Sequence, residues 1–380
     1  MSEVIVVGGG AAGMMAAIAA ADCGHQVTII EKNEKLGKKL FITGKGRCNI
    51  TNDSDVENHL NHVISNPKFM YSAFYSFDSS RMIDFLEQEG LAVKTERGNR
   101  VFPQSDKSSD VLQTLQKALR RRNVTVRLHT KMTGLMIEDH ICKGVKVQSY
   151  HGALETLTAD DVILTTGGLA YPSTGSTGDG HRLLKQAGVA LEPCYPALVP
   201  VETVEEWPIR LQGLSLRNVS LRVERGSHKI YEEQGEMLFT HFGVSGPLVL
   251  SASSLLGRKG AKDCKLHIDL KPALSEEQLD ERLQRDFAAQ KNSMLGKLLP
   301  SKLIPVIVEL SEITPDKQVN EVTRQERHRL VKLCKDLTCT VKKLRDFPEA
   351  IVTGGGISVK AINPATMELK EISHLFAAGE

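Results

Sequence analysis

The sequence predicts an α/β fold with a parallel sheet, interrupted by a β-rich domain and a small helical domain. Three observations support this prediction. Strand and helix patterns alternate between residues 4 and 31, short strands punctuated by prolines begin near Leu191, and two capping boxes precede helical patterns between about residues 275 and 336. Such alternation is typical of a parallel sheet. A chain of 380 residues is also longer than one hydrophobic core usually serves, so several structural units are expected.

The N-terminal segment predicts one βαβ unit. An apolar strand over Val4–Val7 is followed by a glycine-rich turn over Gly8–Gly13, an alanine-rich helix over Met14–Asp22 and a second strand over Gln26–Glu31. The strands are short and apolar, and the helix contains neither Pro nor a run of β-branched residues. This order of elements is the smallest unit of a parallel sheet.

Further elements of the same domain follow the βαβ unit. Ser108 or Ser109 can cap a helix with its apolar residues on one face, and Val124–Leu128 then alternates as a strand. Residues Thr133–Thr158 form short apolar runs typical of a β-meander, and the apolar strand Val162–Thr165 comes after them. The parallel sheet is therefore expected to continue at Val124–Leu128.

The composition changes beyond Leu191, where prolines interrupt short strands and predict an inserted β-rich domain. Two capping boxes, Ser275 with Gln278 and Thr323 with Glu326, predict a small helical unit. The predicted domains are an α/β domain of residues 1–192 and 353–380, a β-rich domain of residues 193–274 and 337–352, and a helical domain of residues 275–336.

Composition argues against several functional classes. The 48 Lys and Arg residues nearly balance the 46 Asp and Glu residues, so no nucleic-acid partner is expected. The sequence shows neither an apolar run long enough to span a bilayer nor a secretory signal, so we expect a cytoplasmic protein with no membrane partner. The seven cysteines are scattered and never spaced as CxxC, which favours reduced thiols and predicts no metal site. Composition leaves the oligomeric state open.

The turn after the first strand has the GxGxxG pattern of a Rossmann-type dinucleotide site. Gly8 permits a tight turn, Gly10 lets the backbone approach a pyrophosphate, and Gly13 allows the helix to pack closely on the sheet. Glu31, at the end of the second strand, can accept hydrogen bonds from the adenosine ribose. A packing turn beside an unrelated acidic residue is the alternative, but strand, helix and acid all occupy the expected positions. The pattern alone allows either NAD or FAD.

Two further segments favour FAD. The loop Gly37–Asn52 follows the acidic strand end and contains four cations that can serve as donors to a pyrophosphate and a flavin edge, namely Lys38, Lys39, Lys45 and Arg47. The segment Val162–Gly168 is an apolar strand that leads into two glycines, as expected where the backbone approaches a cofactor closely. A strand that ends in a flexible turn would have the same composition.

Five segments of the chain together resemble those of one family, in the same order. They are GKGRCNITN (Gly44–Asn52), GNRVFPQSDKSSDV (Gly98–Val111), TTGGLAYPSTGSTGDG (Thr165–Gly180), GEMLFTHFGVSGP (Gly235–Pro247) and VTGGGISVKAINPATME (Val352–Glu368). The family is that of the bacterial NAD(P)/FAD-dependent oxidoreductases that include aminoacetone oxidase and a bile-acid dienone reductase. The resemblance spans nearly the whole chain. It implies an FAD-binding Rossmann domain interrupted by a β-barrel-like domain and a helical domain.

The closing segment LFAAGE (Leu375–Glu380) resembles the strand that brings an acidic residue to the ribityl chain of the flavin. In the family, an Asp- and Gly-rich stretch and a closing helix follow this segment, whereas the present sequence stops at Glu380. We therefore expect these residues alone to provide an incomplete set of hydrogen bonds to the ribityl chain and to the pyrimidine end of the flavin.

The motifs and the resemblance together predict the cofactor-binding residues. In the glycine turn and at the end of the second strand they are Gly8, Gly10, Ala11, Ala12, Gly13, Glu31 and Lys32. In the loop that follows they are Lys38, Lys39, Gly46, Arg47, Cys48 and Asn49. Elsewhere in the chain they are Met132, Thr166, Gly167, Gly168, Gly379 and Glu380. The predicted cofactor is FAD, with NAD(P)H as a transient electron donor.

Three residues are candidates for catalysis. Cys48 is a candidate redox thiol, although a small packing residue near the cofactor explains it more simply, since no second cysteine lies at disulfide spacing. His241 is a candidate proton donor because imidazole titrates near neutrality, but a histidine that fixes its loop is favoured. Tyr171, with the stretch Ser173–Gly180, is a candidate contact of the substrate or of flavin N5, and a loop packed on itself explains that composition equally well.

The triple glycine Gly354–Gly356 does not predict a second Rossmann domain, because β-branched residues and Pro364 follow it instead of a helix. We expect an FAD-dependent oxidoreductase that transfers a hydride between flavin N5 and a small organic substrate or NAD(P)H. Amine oxidation and enone reduction both stay open. A flavin-binding protein without turnover, with a regulatory or RNA-associated role, is the alternative from another class.

Overall fold

The computed structural model describes residues 1–289, 295–296, 298–314 and 317–379. The chain divides into two compact units. The first contains Met1–Cys194 and Gly355–Glu380, and the second contains Tyr195–Gly354. The second unit is therefore an insertion into the first.

The strands of the described residues are numbered in chain order. Those before the insertion are β1 (Glu3–Val7), β2 (Gln26–Ile30), β3 (Thr51–Asn52), β4 (Val93–Glu96), β5 (Arg100–Pro103), β6 (Thr125–Arg127), β7 (Thr130–Glu138), β8 (Ile141–Ser149), β9 (Leu154–Thr158) and β10 (Asp161–Leu164). Those that follow are β11 (Leu191–Ala197), β12 (Val201–Thr203), β13 (Ser215–Arg225), β14 (His228–Thr240), β15 (Gly243–Ser245), β16 (Cys264–Asp269), β17 (Leu337–Leu344), β18 (Val352–Ile357) and β19 (Leu375–Ala377). The chain passes between the units within β11 and within β18.

The helices are numbered in the same way. The first unit contains α1 (Ala11–Asp22), α2 (Lys38–Ile42), α3 (Val56–Asn61), α4 (Tyr71–Ser76), α5 (Ser79–Gln88), α6 (Ser108–Arg121) and α7 (Asp179–Gln186). The second unit contains α8 (Trp207–Arg210), α9 (Pro247–Lys259), α10 (Glu276–Ala289), α11 (Ile304–Leu310) and α12 (Arg324–Lys335). Among the residues that the structure describes, no helix has both the length and the apolar character needed to span a membrane.

A five-stranded parallel sheet organises the first unit, with the strand order β19–β10–β1–β2–β6. Alternate residues of β1 face opposite sides of the sheet. Val4 and Val6 belong to the apolar cluster that contains the buried face of α1, whereas Ile5 and Val7 belong to a second cluster. Apolar residues on both faces are typical of a sheet that is covered on both sides. The predicted parallel sheet is confirmed.

The helix α1 joins β1 to β2 and begins directly after the glycine turn. Its buried residues, Met14, Ala17 and Ile18, recur at helical spacing on the face that packs against the sheet. Gly24 follows the helix with a φ of +84°, a left-handed conformation that turns the chain toward β2. The predicted βαβ unit is confirmed, and its helix starts three residues earlier than the pattern indicated.

The first unit also contains two three-stranded antiparallel sheets. The strands β7, β8 and β9 form a three-stranded meander, as predicted for Thr133–Thr158. A second sheet has the order β3–β5–β4, and its central strand contains the buried residues Val101 and Phe102. Ile50, just before β3, donates its N–H to the carbonyl of Val101 on β5. The end of the loop that was predicted to bind the cofactor is therefore hydrogen-bonded to this sheet.

Two local predictions for the first unit were wrong. The segment Gly37–Asn52 was predicted to be a loop throughout, but Gly37 adopts a left-handed conformation, α2 follows it with Leu40 buried, and a 3-10 turn covers Thr43–Gly46. The helix α6 has no side-chain cap at its start. The hydroxyl of Ser108 instead donates to the carbonyl of Phe41, at 2.6 Å, so a tertiary contact takes the group that was expected to cap the helix.

The second unit contains a closed barrel with the strand order β12–β15–β14–β13–β16–β17, in which every neighbouring pair is antiparallel. Alternate residues of β13, including Leu221 and Val223, are fully buried in its core. The capping box at Thr323 and Glu326 starts α12, and Ser275 exchanges hydrogen bonds with Gln278 at the start of α10. The predicted architecture is confirmed, and the exact domain boundaries stay a prediction.

Candidate cofactor-binding site

A cavity of about 460 Å³ lies in the first unit, where β1, β2, β10 and β19 end. In a parallel α/β sheet, this carboxyl edge is the usual place for a ligand. Fourteen of the predicted cofactor-binding residues line the cavity: Gly8, Gly10, Ala11, Ala12, Glu31, Lys32, Lys38, Lys39, Cys48, Asn49, Met132, Thr166, Gly167 and Gly379. The structure thus brings together residues that the sequence holds far apart.

The glycine turn has no room for side chains at two of its three motif positions. A Cβ atom on Gly8, whose φ is +108°, would lie 2.5 Å from the carbonyl oxygen of Thr165, and one on Gly13 would lie 1.9 Å from the carbonyl oxygen of Gly8. Gly10 differs from both, because a Cβ atom there would meet nothing within 4 Å. Gly10 also lines the cavity and immediately precedes α1. The cavity therefore has bare backbone at a helix N-terminus, where a pyrophosphate fits.

Glu31 is fixed by hydrogen bonds from the backbone and from one side chain. Only 8% of the residue is exposed. One carboxylate oxygen accepts the N–H of Gly9 at 2.7 Å, and the other accepts the backbone N–H and the side-chain amide of Asn33, both at 2.8 Å. These donors orient a buried anion at the edge of the cavity. A fixed anion at this place is compatible with hydrogen bonds from ribose hydroxyls, and that role of Glu31 stays a prediction.

Lys32 connects the end of β2 to the start of α7. Its ammonium group lies 2.6 Å from the hydroxyl of Thr177 and 2.8 Å from the carboxylate of Asp179. Burial raises the pKa of Asp179, but the hydrogen bond and the charge of Lys32 outweigh it and hold that pKa below its ordinary value. Asn33 adds a further connection through its amide, which donates to the carbonyl of Thr174. Hydrogen bonds therefore hold residues 174–179 against the end of β2.

Another part of the cavity lining contains Cys48 and its neighbour Asn49. Cys48 is 5% exposed and has a left-handed φ of +59°. Burial raises the pKa of its thiol, while a hydrogen bond with Thr43 lowers it to a smaller extent. A neutral thiol at neutral pH is a poor nucleophile. The geometry therefore favours the packing role of Cys48 over the redox role.

Several predicted residues do not line the cavity. Gly13 packs α1 on the turn, and Gly46 and Gly168 lie outside the lining. Arg47 also lies outside it, because its guanidinium group binds the carboxylates of Glu96 and Asp106. Glu380 falls outside the described residues. The neighbouring Gly379 lines the cavity with a φ of +97°, and a Cβ atom there would lie 3.0 Å from that of Ala12.

Two of the catalytic candidates lie in other surroundings. Tyr171 does not line the cavity, although Thr174, Gly175 and Ser176, which follow it, do so beside Lys32. This stretch therefore contacts the end of β2. Its predicted contact with the substrate or with flavin N5 stays a prediction. His241 belongs to the second unit, is exposed and contacts Phe242 edge-on, with ring centroids 4.8 Å apart. Neither placement assigns a chemical role.

Sequence reasoning missed other residues of the cavity. Asn33 was missed although it follows Glu31 by two positions, and Asp179 was included only within a longer stretch. The lining also contains five apolar residues to which the sequence analysis gave no part in the site, namely Met15, Ile50, Met82, Val111 and Leu115. The helical spacing of Val111 and Leu115 was a signal for burial on one face of α6, but it did not distinguish a core from a cavity wall. Among the described residues, no group of three or more His, Cys, Asp or Glu side chains could hold a metal.

The class of this protein is that of the Rossmann-type FAD-dependent oxidoreductases. The chain belongs to the family described as HI0933-like protein Rossmann domain, whose model matches residues 2–380. This match confirms the resemblance found in the sequence. The same class predicted from the glycine motif and the cation-rich loop, with FAD as cofactor, is confirmed as well.

Named relatives cover the whole chain. A 3-dehydro-bile acid delta(4,6)-reductase of Clostridium scindens is 31% identical, over 100% of this chain and 92% of its own length. A ribosomal RNA dihydrouridine synthase of Haemophilus influenzae is 27% identical, also over 100% of this chain and 92% of its own length. Among solved structures, a 3-ketosteroid delta1-dehydrogenase from Sterolibacterium denitrificans is 14% identical with a TM-score of 0.51, over 99% of this chain and 93% of that chain. This last likeness shows the fold alone.

Proposed function

We propose that this enzyme reduces a carbon–carbon double bond that is conjugated to a carbonyl group. The names of two full-length relatives carry the proposal, since one is a delta(4,6)-reductase of a 3-dehydro bile acid and the other a dihydrouridine synthase. A ring enone and the uracil ring share one feature: the carbonyl withdraws electrons from the double bond and makes its distal carbon electrophilic. Hydride addition at that carbon is therefore the reaction common to both names.

NAD(P)H is the proposed reductant, and the reaction balances with it. NAD(P)H loses a hydride and becomes NAD(P)⁺. The substrate gains that hydride at the distal carbon and a proton from solvent at the adjacent carbon, so the double bond becomes a single bond. When FAD is bound, its N5 position supplies the relay that accepts a hydride from one partner and delivers it to the other.

The chain contributes the binding and orientation of the cofactor. We assign the backbone from Gly8 to Ala12 to the pyrophosphate, and Glu31 to the ribose hydroxyls. The open space at Gly10 and the fixed, buried carboxylate of Glu31 support these roles. Lys38, Lys39 and the wall around Cys48 are assigned to the rest of the cofactor, on the ground that they line the same cavity.

Anaerobic half-reactions test the proposed reaction. The FAD-loaded protein is first mixed with NADPH, and bleaching of the flavin absorbance is followed. The reduced protein is then mixed with a 3-oxo-Δ4,6 steroid, and return of the oxidised flavin spectrum is followed together with the reduced steroid product. The proposal expects bleaching in the first step and recovery in the second. Absence of recovery with every conjugated carbonyl compound would rule it out.

Uridine in RNA is a second candidate substrate, favoured by two of the named relatives. The ribosomal RNA dihydrouridine synthase of Escherichia coli is 28% identical over 100% of this chain, in addition to the H. influenzae relative. The reduced protein is therefore also mixed with ribosomal RNA, and dihydrouridine is measured after digestion. Recovery with RNA but not with the steroid assigns the RNA substrate, and the reverse result assigns the small molecule, as expected from the balanced charge of the chain.

Two outcomes would favour the other functions considered above. Bleaching by a primary amine, with no bleaching by NADPH, would indicate an amine oxidase. Stable binding of FAD with no bleaching by either compound would indicate a flavin-binding protein without turnover. The amine and NADPH are mixed with the same FAD-loaded preparation. The pattern of bleaching then distinguishes the reductase, the amine oxidase and the flavin-binding protein from one another.

A further inference from the structure

We propose that Arg47 is a positioning residue that fastens the wall loop, residues Thr43–Asn49, to the sheet β3–β5–β4. The loop then holds Cys48 and Asn49 in the wall of the cofactor cavity. In this role Arg47 acts on the cofactor through the loop, without the direct flavin contact that the sequence suggested. The inference rests on FAD binding in the cavity and goes beyond the reaction proposed above.

The wall loop has an unusual backbone. Gly44, Lys45, Gly46 and Cys48 have φ values of +58°, +57°, +84° and +59°. Two of these residues carry a Cβ atom, and side chains disfavour the left-handed region. Within the loop, the N–H of Cys48 donates to the carbonyl of Thr43 at 3.1 Å, and the N–H of Arg47 donates to that of Gly44 at 3.2 Å. Such a conformation persists only where the surroundings hold it.

The guanidinium group of Arg47 supplies contacts that can hold the loop. It donates from Nε to Asp106 at 2.9 Å and from one terminal nitrogen to both Glu96 and Asp106 at 2.5 Å. Its central carbon lies 4.1 Å from the centroid of the Phe102 ring, so the planar group also stacks on β5. One side chain thereby joins the loop to β4, to β5 and to the turn that contains Asp106.

Neighbouring cations stabilise the charged forms of the carboxylates of Glu96 and Asp106. The hydrogen bond from Arg47 is the main cause that lowers the pKa of Glu96, whereas Asp106 owes its lowered pKa first to Lys94 and then to Arg47. Lys94 lies 2.6 Å from Asp106 and 3.8 Å from Glu96. Loss of Arg47 would leave two anions with one cation, and the loop would lose its connection to them.

Some residues of the wall loop line the cavity, and Arg47 instead contacts the carboxylates of Glu96 and Asp106. Thr43, Cys48 and Asn49 line the cavity, whereas Arg47 does not and binds the carboxylates instead. Arg47, which directly precedes Cys48, thus anchors the loop to the carboxylates of Glu96 and Asp106. Displacement of this anchor would move the two cavity residues that follow it, and the fit of the cavity to its cofactor would change.

The variant Arg47→Met tests the proposal, because it keeps an unbranched, apolar stem but removes the guanidinium group with its charge and all its donors. We expect FAD to bind about tenfold more weakly, with an altered visible spectrum of the bound flavin. Amide hydrogen exchange in the FAD-free protein should become faster in the wall loop. Arg47→Lys should rescue part of the affinity, since an ammonium group keeps the charge but lacks the planar fork.

Arg100→Met is the matched control. Arg100 lies over the same Phe102 ring, at 6.0 Å from its centroid, and its Nε donates to the carbonyl of Arg97. It does not line the cavity. We expect its removal to change the affinity for FAD by less than about twofold. An Arg100→Met effect equal to that of Arg47→Met would indicate a general loss of the sheet and would overturn the proposed specific role.

The double variant E96Q/D106N separates positioning from direct contact and also serves if Arg47→Met does not fold. If Arg47 acts through its carboxylates, E96Q/D106N should weaken FAD binding as Arg47→Met does, and the triple variant should add little. Unchanged affinity in E96Q/D106N, or an Arg47→Met protein with the wild-type affinity, spectrum and exchange, would overturn the proposal. Absence of FAD binding by the wild type would be a failure of the cofactor assignment instead.

Discussion

At the scale of single residues, the three motif glycines of the turn differ in the space available for a side chain. Gly8 and Gly13 are required by the protein itself, because a Cβ atom at either would lie against backbone. Gly10 faces open space in the cavity, so a side chain there is compatible with the fold but occupies the place assigned to the pyrophosphate. Binding and folding can therefore be separated at Gly10.

The variant Gly10→Val should abolish FAD binding while the protein stays folded. The added side chain fills part of the cavity and blocks close approach of the phosphates to the backbone. FAD binding is measured by quenching of flavin fluorescence, and folding by circular dichroism. Gly134→Val is the control, because Gly134 lies on β7 and a Cβ atom there meets only the flexible side chain of Lys146, at 3.6 Å. Wild-type FAD binding by Gly10→Val would place the pyrophosphate elsewhere.

Cys48 should react slowly with thiol reagents. Burial raises its pKa, so the neutral thiol dominates at neutral pH, and the residue is also nearly inaccessible. Alkylation by iodoacetamide, followed by mass spectrometry of the peptides, measures the rate. Cys23 is the internal control because it is an exposed free cysteine in the same chain. A Cys48 that reacts as fast as Cys23 would indicate an activated thiolate and revive the redox role.

At the scale of elements, the connection between β2 and α7 shapes one end of the cavity. Lys32 and Asn33 follow β2, and they bind Asp179 and Thr174 respectively. Gly175 lies so close to Asn33 that a Cβ atom would be 2.5 Å from its side-chain nitrogen. The stretch before α7 is thus packed on the strand end by contacts that leave no space for a larger residue.

The stability of this connection should depend on pH through Asp179. Its pKa is lower in the folded state than in the unfolded state, so the stabilisation is fully present above the ordinary Asp pKa of about 3.9 and is lost as the pH falls through the folded value. Asp179→Asn should cost about 1 kcal/mol of unfolding free energy at neutral pH, and this difference should shrink toward zero in acid. Denaturant unfolding at several pH values measures it.

Glu34→Gln is the control for that series. Glu34 lies 3.4 Å from Lys38 in an exposed ion pair, which is expected to contribute little. A difference between wild type and Asp179→Asn that is constant from neutral pH to acid would contradict the assigned ion pair. A loss as large in Glu34→Gln would show that the measurement reports overall charge instead of the connection to α7.

Features were predicted from the sequence where the residues that form them lie close together in the chain, and were missed where those residues lie far apart. The β1–α1–β2 unit was predicted because its turn, helix and Glu31 lie within one short segment. Arg47 was expected beside the cofactor but lies outside the cavity lining. Its partners Glu96 and Asp106 are 49 and 59 residues away, and a cation in a glycine-rich loop suits a phosphate as well as a carboxylate. Lys32 meets Asp179 across 147 residues, so no local pattern indicates that contact.

At the scale of the whole molecule, the two units have separate cores. The buried residues of the barrel and its helices form one apolar cluster, whereas the first unit contains two others on the faces of its parallel sheet. The composition change near Leu191 indicated this division. The cavity is lined entirely by residues of the first unit, so this unit supplies the proposed FAD site from its own residues.

The most direct test of the central claim is the visible absorption spectrum of the purified full-length protein after addition of FAD and removal of the excess. We expect the two absorption bands of an oxidised flavin, with one FAD per chain, because the cavity offers one bare helix N-terminus and one fixed, buried carboxylate, that of Glu31. A folded, colourless protein that takes up no FAD would contradict the account.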